Sequence, residues 1–598
     1  MRRALSSCTA VLCLLLAGCQ SHLAGSAQQE TFQALARPTA QAVVLGDEAP
    51  PREATPPQPK LVVGRHVVVA AEHPAASAIG VEIYRGGGNV VDAAVATAFA
   101  VCVSNPSSCG IGGGGFMMIH IARSRQTFAL DYREVAPQAA TRDMFVRDGH
   151  ADPELSRSGG LAIAVPGEVA GLAEAQRRFG NLSLAKVMAP AIALARDGVP
   201  VGAHLAKTIA DNVATLRRSP KLATTYLHED GSPLQRGEML RQPQLAATLE
   251  TISRQGPAAF YRGPIAADIV AAVQSAGGVM TAADLAAYRP LWREPVWLDF
   301  RGDVVMAMPP PSSAGVLLEV FGMTAGDDLP AIGHGSVTYD QLLTEAMKHG
   351  FADRARLYGD PAQGSEPVPQ LISPSNLRDL RARIRIDGVL PFEEYGSRPG
   401  TPAEVVDDHG TSHLSVLDDK GNSVACTTTI NTAFGSMVVA PATGIVLNNE
   451  MDDFSAQPGV PNVYGLVGAE ANAVAPGRRP LSSMSPTIVV RDGKAVLAAG
   501  GSGGPLILSG TMQAVLNARV FGQDAAAAVG APRLHHQWMP QVLFLEAGVG
   551  DEARQGLEQR GQTVRPLPSA GAIQLVQVRR GRLEGASDAR KEGEAAAW

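Results

Sequence analysis

The sequence predicts an α/β protein, and three stretches carry that reading. Residues 407–431 form a hairpin pattern, with arms rich in Val, Leu, Ile and Thr on either side of Asp419-Lys420-Gly421. Gly421 stands where a three-residue hairpin loop needs a left-handed backbone. Asn89 precedes an Ala- and Val-dominated run to about Val103, with Asp92 in its first turn. That is the pattern of a capped helix buried in a core. After the hairpin, strand-like runs recur at 437–440, 445–447, 487–490, 495–499, 541–545 and 572–578. Periodicity alone leaves the stacking of sheets and helices open.

The chain has 598 residues, 45% hydrophobic and 18% charged, enough to bury a large core. A formal net charge of −6 gives no reason to expect a nucleic-acid partner. Met1-Arg2-Arg3 is followed by an apolar run at 11–17 that is too short to span a bilayer and reads as a signal segment. Leu16-Ala17-Gly18-Cys19 resembles a bacterial lipoprotein cleavage box, which implies lipidation of Cys19; the alternative is an ordinary signal peptide with an incidental Cys. Gln20 rather than Asp follows it, which in such signals is compatible with the outer membrane. Residues 20–60 are rich in Ala, Gln, Pro, Glu and Thr and read as a tether. The expectation is an exported, periplasmic protein that meets the membrane only through a lipid anchor.

Residues from Leu61 onward read as globular. Gly112-Gly113-Gly114-Gly115 lacks the Gly-Lys-Ser/Thr of a phosphate loop and opens into the apolar strand Phe116-Met117-Met118-Ile119. A strand at 128–132 delivers Arg133 at its end. Helices are expected from Pro166-Gly167-Glu168 to about Gly180, after the cap Thr281, over 345–357, and from Gly503-Gly504-Pro505 to about Arg519; 296–308 reads as strand.

Of six cysteines, Cys8, Cys13 and Cys19 fall in the leader. Cys102 and Cys109 either close a small disulfide loop around Asn105-Pro106 or remain, with Cys426, buried thiols. No Cys-x-x-Cys or His cluster suggests a metal, the acids Glu450, Asp452 and Asp453 lack EF-hand spacing, and no cofactor is implied. His535 and His536, adjacent on a strand, project to opposite sides and read as structural.

A loop at 419–421 pairs Asp418 with Asn422 and, continued outward, sets Thr411 opposite Thr429. Taken by spacing, these are ordinary strand threonines. Their context says more. Thr411-Ser412-His413 is followed by Asn448-Asn449-Glu450-Met451-Asp452-Asp453-Phe454, Pro458-Gly459-Val460-Pro461-Asn462 and Arg479-Pro480-Leu481-Ser482-Ser483-Met484-Ser485-Pro486-Thr487. Upstream stand Gly86-Gly87-Gly88-Asn89, Gly112 to Gly115, Asp131-Tyr132-Arg133-Glu134 and Pro309-Pro310-Pro311-Ser312-Ser313. In this order, over about 61–589, the motifs closely resemble the γ-glutamyltranspeptidase (glutathione hydrolase) family.

The resemblance implies the four-layer αββα fold of N-terminal-nucleophile hydrolases. It also implies a precursor that cuts itself at Gly410–Thr411 into a large subunit (61–410) and a small subunit (411–598), which together form a heterodimer. A threonine made N-terminal carries its own base, an α-amine with an ordinary pKa of about 7.7–8.0. Thr411 would then attack the γ-amide of glutathione or another γ-glutamyl compound, and water or an amino-acid or peptide acceptor would release the acyl group.

Thr429 is placed to orient the Thr411 hydroxyl or amine. Arg133 suits the substrate α-carboxylate, with Ser482 and Ser483 beside it. By residue type alone, a structural ion pair is an equal reading for Arg133. Asn431, Glu450 and Asp453 match the family's ammonium contacts, and Tyr464 sits mid-way in its lid at 458–469. Gly503 and Gly504 match its oxyanion donors. Here the sequence departs from the family, with Gly501-Ser502-Gly503-Gly504 where Ser-Pro-Gly-Gly is common. Competing readings are an acylase of the cephalosporin-acylase type and a catalytically dead, lipid-anchored binding protein.

Overall fold

The computed structural model describes residues 58–364, 366–396 and 410–598. The signal segment, Cys19, most of the tether and the approach to the hairpin at 405–409 lie outside the described residues.

Fourteen strands build two mixed-length, seven-stranded sheets. In chain order they are β1 (Val62–Gly64), β2 (Val67–Ala71), β3 (Gly114–Ile121), β4 (Gln126–Tyr132), β5 (Leu291–Arg293), β6 (Val296–Phe300), β7 (Asp303–Ala307), β8 (Thr411–Asp418), β9 (Ser423–Thr429), β10 (Thr487–Arg491), β11 (Lys494–Ser502), β12 (Ala572–Arg579), β13 (Arg582–Ser587) and β14 (Ala596–Ala597). One sheet runs β14-β2-β8-β9-β3-β4-β5 and the other β1-β13-β12-β11-β10-β7-β6.

The sheets stack face to face. Val68, Ala70, Phe116, Met118 and Ala425 of the first meet Ile488, Val490, Ala498 and Val576 of the second in one buried cluster. On the outer face of the first sheet, Val67, Val69, Leu414, Val416 and Met117 pack against α1 (Pro74–Arg85), α2 (Val90–Ser104), α3 (Glu168–Phe179), α4 (Leu184–Asp197) and α5 (Pro243–Gln255). The second sheet is covered by α6 (Gly315–Thr324), α7 (Val337–Leu357) and α8 (Leu506–Arg519) through Val305, Val489, Leu497 and Leu575. The result is the αββα sandwich.

Local chemistry accounts for the elements that place the site. Asn89 caps α2 and Asp92 returns the bond to the Asn89 N–H, a full capping box. All residues of α2 are buried, which is why the helix shows no polar face. The hairpin has the predicted register, Thr411 opposite Thr429 through Leu417 opposite Ser423. Gly421 has φ 86°, and the Asp418 N–H bonds the Asn422 carbonyl at 3.0 Å. The single run expected at 296–308 is instead a hairpin of β6 and β7 turning at Arg301-Gly302, both at positive φ. The helix expected over 345–357 begins a good two turns earlier, capped by Ser336. The run expected at 541–545 falls at Leu543–Glu546 in a separate three-stranded sheet.

Cys102, Cys109 and Cys426 are free, buried thiols, so the thiol reading holds and the disulfide does not. His535 bonds Ser509 and Gln537, and His536 accepts from the Trp538 N–H, both in structural roles. Among the described residues no helix is long and apolar enough to cross a membrane.

Candidate active site

Thr411 opens β8 at the end of the central hairpin, 5% exposed. Its Oγ1 lies 3.0 Å from Thr429 Oγ1. Thr429 Oγ1 donates to the Gly410 carbonyl at 3.1 Å and accepts from the Asn431 N–H at 2.8 Å. A hydroxyl has one proton. If Thr429 gives its proton to Gly410, the Thr411 O–H must point at Thr429. The Thr411 lone pairs are then turned away from Thr429, and the Gly410 carbonyl is polarised by the neighbouring hydroxyl.

A solvent-open pocket of about 260 Å³ lies beside Thr411. Its far wall carries Arg133, Glu450 and Asp453, and Asn431, Ser482, Ser483, Tyr464 and Gly504 complete most of its lining. β4 delivers Arg133, and Asp131 fixes the turn: its Oδ1 accepts the Arg133 N–H at 2.9 Å while its Oδ2 holds Arg293 at 2.7 Å. The guanidinium is 1% exposed and sits 2.5 Å from Glu450, 2.5 Å from Asp453 and 3.6 Å from Glu134. Its Nε donates to the Pro480 carbonyl at 3.2 Å.

One cation thus faces three acids. Burial pushes the Glu134 carboxyl up to about 8 and raises Glu450 well above the ordinary range, while Arg133 opposes both shifts. Arg133 is ion-paired, and it also lines the pocket. A zwitterionic head group suits such a wall, since its cation meets the surplus acid and its carboxylate takes a share of the fork.

Sequence-distant loops brace this wall. Ser313 Oγ donates to the Ser482 carbonyl at 2.7 Å, and the Ser482 N–H donates to the Pro311 carbonyl at 2.7 Å. The Pro309-to-Ser313 motif therefore positions the Ser482-Ser483 loop. Asp452, the middle acid, bonds Ser156 and the Val463 N–H instead of Arg133, tying the 458–469 loop down.

The family model described as gamma-glutamyltranspeptidase matches residues 76–598. The chain belongs to the γ-glutamyltranspeptidase family. It is 43% identical to the glutathione hydrolase proenzyme of Escherichia coli K12 over 526 residues, 88% of this chain and 90% of that protein. Among solved structures it resembles cephalosporin acylase from Bacillus halodurans, with a TM-score of 0.80 and 29% identity over 92% of this chain and 99% of that one. It also resembles Helicobacter pylori gamma-glutamyltranspeptidase, with a TM-score of 0.52 and 36% identity over 53% of this chain and 92% of that chain.

For a γ-glutamyltranspeptidase, the remaining expected residues sit close together. Tyr464 is buried, and its hydroxyl donates to the Asn431 carbonyl at 2.9 Å. Asn431 has φ 77°, a left-handed backbone held by its Nδ2 bond to the Asn449 carbonyl at 3.0 Å. Gly503 and Gly504 have φ 119° and 55°, and a Cβ on Gly504 would lie 2.6 Å from the Tyr464 ring. The glycine loop and the 458–469 loop therefore pack against each other, and only glycine fits.

Two further residues at this site were not predicted by the sequence. Lys591 is 1% exposed; its Nζ donates to the Thr411 carbonyl at 2.5 Å and pairs with Glu72 at 2.8 Å. Glu72 also accepts the His413 N–H at 3.2 Å. The C-terminal segment and the residue after β2 thus clamp the backbone at Thr411 and His413. A single lysine in Ala589-Arg590-Lys591-Glu592 carries no local pattern that would reveal this.

Proposed function

We propose that this chain is a self-processing γ-glutamyltransferase and glutathione hydrolase with Thr411 as its nucleophile. The observation that carries the reading is the contact of Thr411, Thr429 and the Gly410 carbonyl beside a buried wall of one arginine and three acids.

In processing, the Thr411 oxygen attacks the Gly410 carbonyl carbon, the C–N bond breaks, and the freed nitrogen takes up the proton to become the Thr411 α-amine. Water then hydrolyses the resulting ester, leaving the large subunit (61–410) and the small subunit (411–598) as a heterodimer. In turnover, the α-amine takes the Thr411 hydroxyl proton as the oxygen attacks the γ-amide carbonyl. The N–H groups of Gly503 and Gly504 receive the oxyanion. The leaving amine departs with the proton. A γ-glutamyl ester remains, to be released to water or to an amino-acid or peptide amine. Arg133, Ser482 and Ser483 hold the α-carboxylate, while Asn431, Glu450 and Asp453 hold the α-ammonium.

The likeness to cephalosporin acylase is one of overall fold, whereas the charged wall favours a glutamyl head group. Anchoring through Cys19 belongs to the same reading, with the enzyme at the periplasmic side of a membrane. Unchanged mass and fractionation in Cys19→Ser would remove that part alone. For the central part, Thr411→Ala is expected to give one uncut chain with no glutathione hydrolysis, read by denaturing gel and product assay. Normal cleavage in that variant would overturn the assignment.

A further inference from the structure

A solvent-open cleft of about 620 Å³ lies in the helical layer over the second sheet, between the start of α7 and the last turns of α8. None of the residues placed in the active site lines it. Asp340 does, at 4% exposure, and among the described residues its carboxylate has neither a hydrogen bond nor an ion pair. The Tyr339 hydroxyl beside it is buried and also has no partner. The buried Tyr339 hydroxyl is expensive to leave unmatched, and the Asp340 carboxylate opens onto the cleft.

The rest of the lining has one electrostatic character. His334 Nε2 lies 2.8 Å from Asn517 Oδ1. That oxygen only accepts, so Nε2 carries the proton and Nδ1 is left as an acceptor. The rings of His334, Tyr339 and Phe521 form a mutual cluster with centroids 5.0–6.0 Å apart, and aromatic faces attract cations. Gln513 and Asn517 place the C-terminal turns of α8 at the cleft, the end of a helix that favours positive charge. No Lys or Arg lines it. Arg533, next to the lining residues Pro532 and Leu534, is turned away into its ion pair with Asp588 at 2.7 Å.

We propose that this cleft is a second binding site, for a primary alkylammonium ion that bears no neighbouring carboxylate, with the ammonium on Asp340 and the alkyl stem along Tyr339 and His334. A carboxylate next to the amine would find no cation here. Two sources share this chemistry, a free alkylamine and a lysine side chain. The site stands independently of the γ-glutamyl reading.

The titratable groups that line the cleft with Asp340 are His334 and Tyr339; α8 contributes only the uncharged Gln513 and Asn517, residues 548–549 contribute Gly and Val, and the helix at 551–559 that also packs on α7 is followed by Arg560, whose guanidinium is held on Thr338 Oγ1 at 3.2 Å. Burial lifts the Asp340 carboxyl to about 7. The amine stays protonated well above that. Binding is therefore strongest above pH 7 and weakens as the carboxyl takes up a proton, by about tenfold at pH 6 relative to pH 8.

The test is calorimetric titration of the full-length protein with butylammonium chloride and, as a second arm, Nα-acetyl-lysine amide, with sodium butyrate as control. Saturable binding of either amine, about tenfold weaker at pH 6 and at least tenfold weaker in Asp340→Asn, supports the site; the arm that binds tells which source fits. Asp340→Asn removes an unpaired buried charge, so it should melt no lower than the parent at pH 8 and hydrolyse glutathione at the parental rate. Tyr339→Leu, a second variant, should weaken binding several-fold. No saturable heat from either amine, or undiminished binding in a folded Asp340→Asn, would overturn the proposal.

Discussion

At the scale of single residues, the proposed roles put recognition at Arg133 and chemistry at Thr411. Self-cleavage of the Gly410 peptide involves no free carboxylate, so Arg133→Ala should still be processed. Truncating one member of a buried charge pair costs about 2–5 kcal/mol, or about one and a half to three and a half decades in kcat/KM. Glutathione hydrolysis by the processed variant should fall by that factor, and Arg133→Lys should recover only part, since an ammonium lacks the fork. Near-parental kcat/KM in a fully cut Arg133→Ala would mean that Arg133 does not hold the substrate. Residue type alone left this arginine balanced between ion pair and binding group, and the geometry shows why: the acids that neutralise it, Glu450 and Asp453, line the same pocket. Lys591 marks the opposite limit. Its partner Thr411 lies 180 positions away in the chain and Glu72 farther still, and only the fold brings them together.

At the scale of elements, the hairpin was the most legible part of the chain because its register depends on local turn chemistry. Gly421 sets the loop, the loop sets the pairing, and the pairing sets Thr411 against Thr429. Strand β2 shows the converse. Val67-Val68-Val69-Ala70-Ala71 is buried on both faces, toward the helices through Val67 and Val69 and toward the other sheet through Val68 and Ala70. It has no alternation to read, so it was not predicted. The turn Arg301-Gly302 was missed because an arginine at φ 54° is not a usual turn signal. The contact between lid and glycine loop yields a prediction at this scale. Gly504→Ala would force its Cβ toward the Tyr464 ring, 2.6 Å away, displacing lid or loop. Turnover should drop at least about tenfold, or about 1.4 kcal/mol. Self-cleavage, which in the proposed mechanism needs no substrate, should continue. Parental kcat/KM in Gly504→Ala would show that the loop tolerates the added carbon.

At the scale of the whole molecule, the sandwich buries titratable groups near the site, and their burial links stability to pH. The Glu168 carboxyl, at the start of α3, is pushed up to about 8 by burial. Its folded pKa lies above the ordinary value of 4.5, so the stability it contributes is complete below about pH 4.5 and is lost as pH rises to about 8. The loss amounts to about 1.4 kcal/mol per pH unit at most. Thermal unfolding at pH 5.5 and pH 8 should therefore show a smaller drop for Glu168→Gln than for the parent; equal drops would place the titration elsewhere.

The same fold-scale view explains why the αββα arrangement was expected from the family resemblance and not from periodicity: sheets covered on both faces and helices buried all round, such as α2, erase the patterns that periodicity reads. The central claim is that this fold presents Thr411 as a nucleophile released by self-cleavage, and intact-mass analysis of the purified wild-type protein under denaturing conditions tests it most directly. Two chains are expected, the smaller beginning at Thr411. A single uncut chain that nonetheless hydrolyses glutathione, or a cut at any other bond, would contradict it.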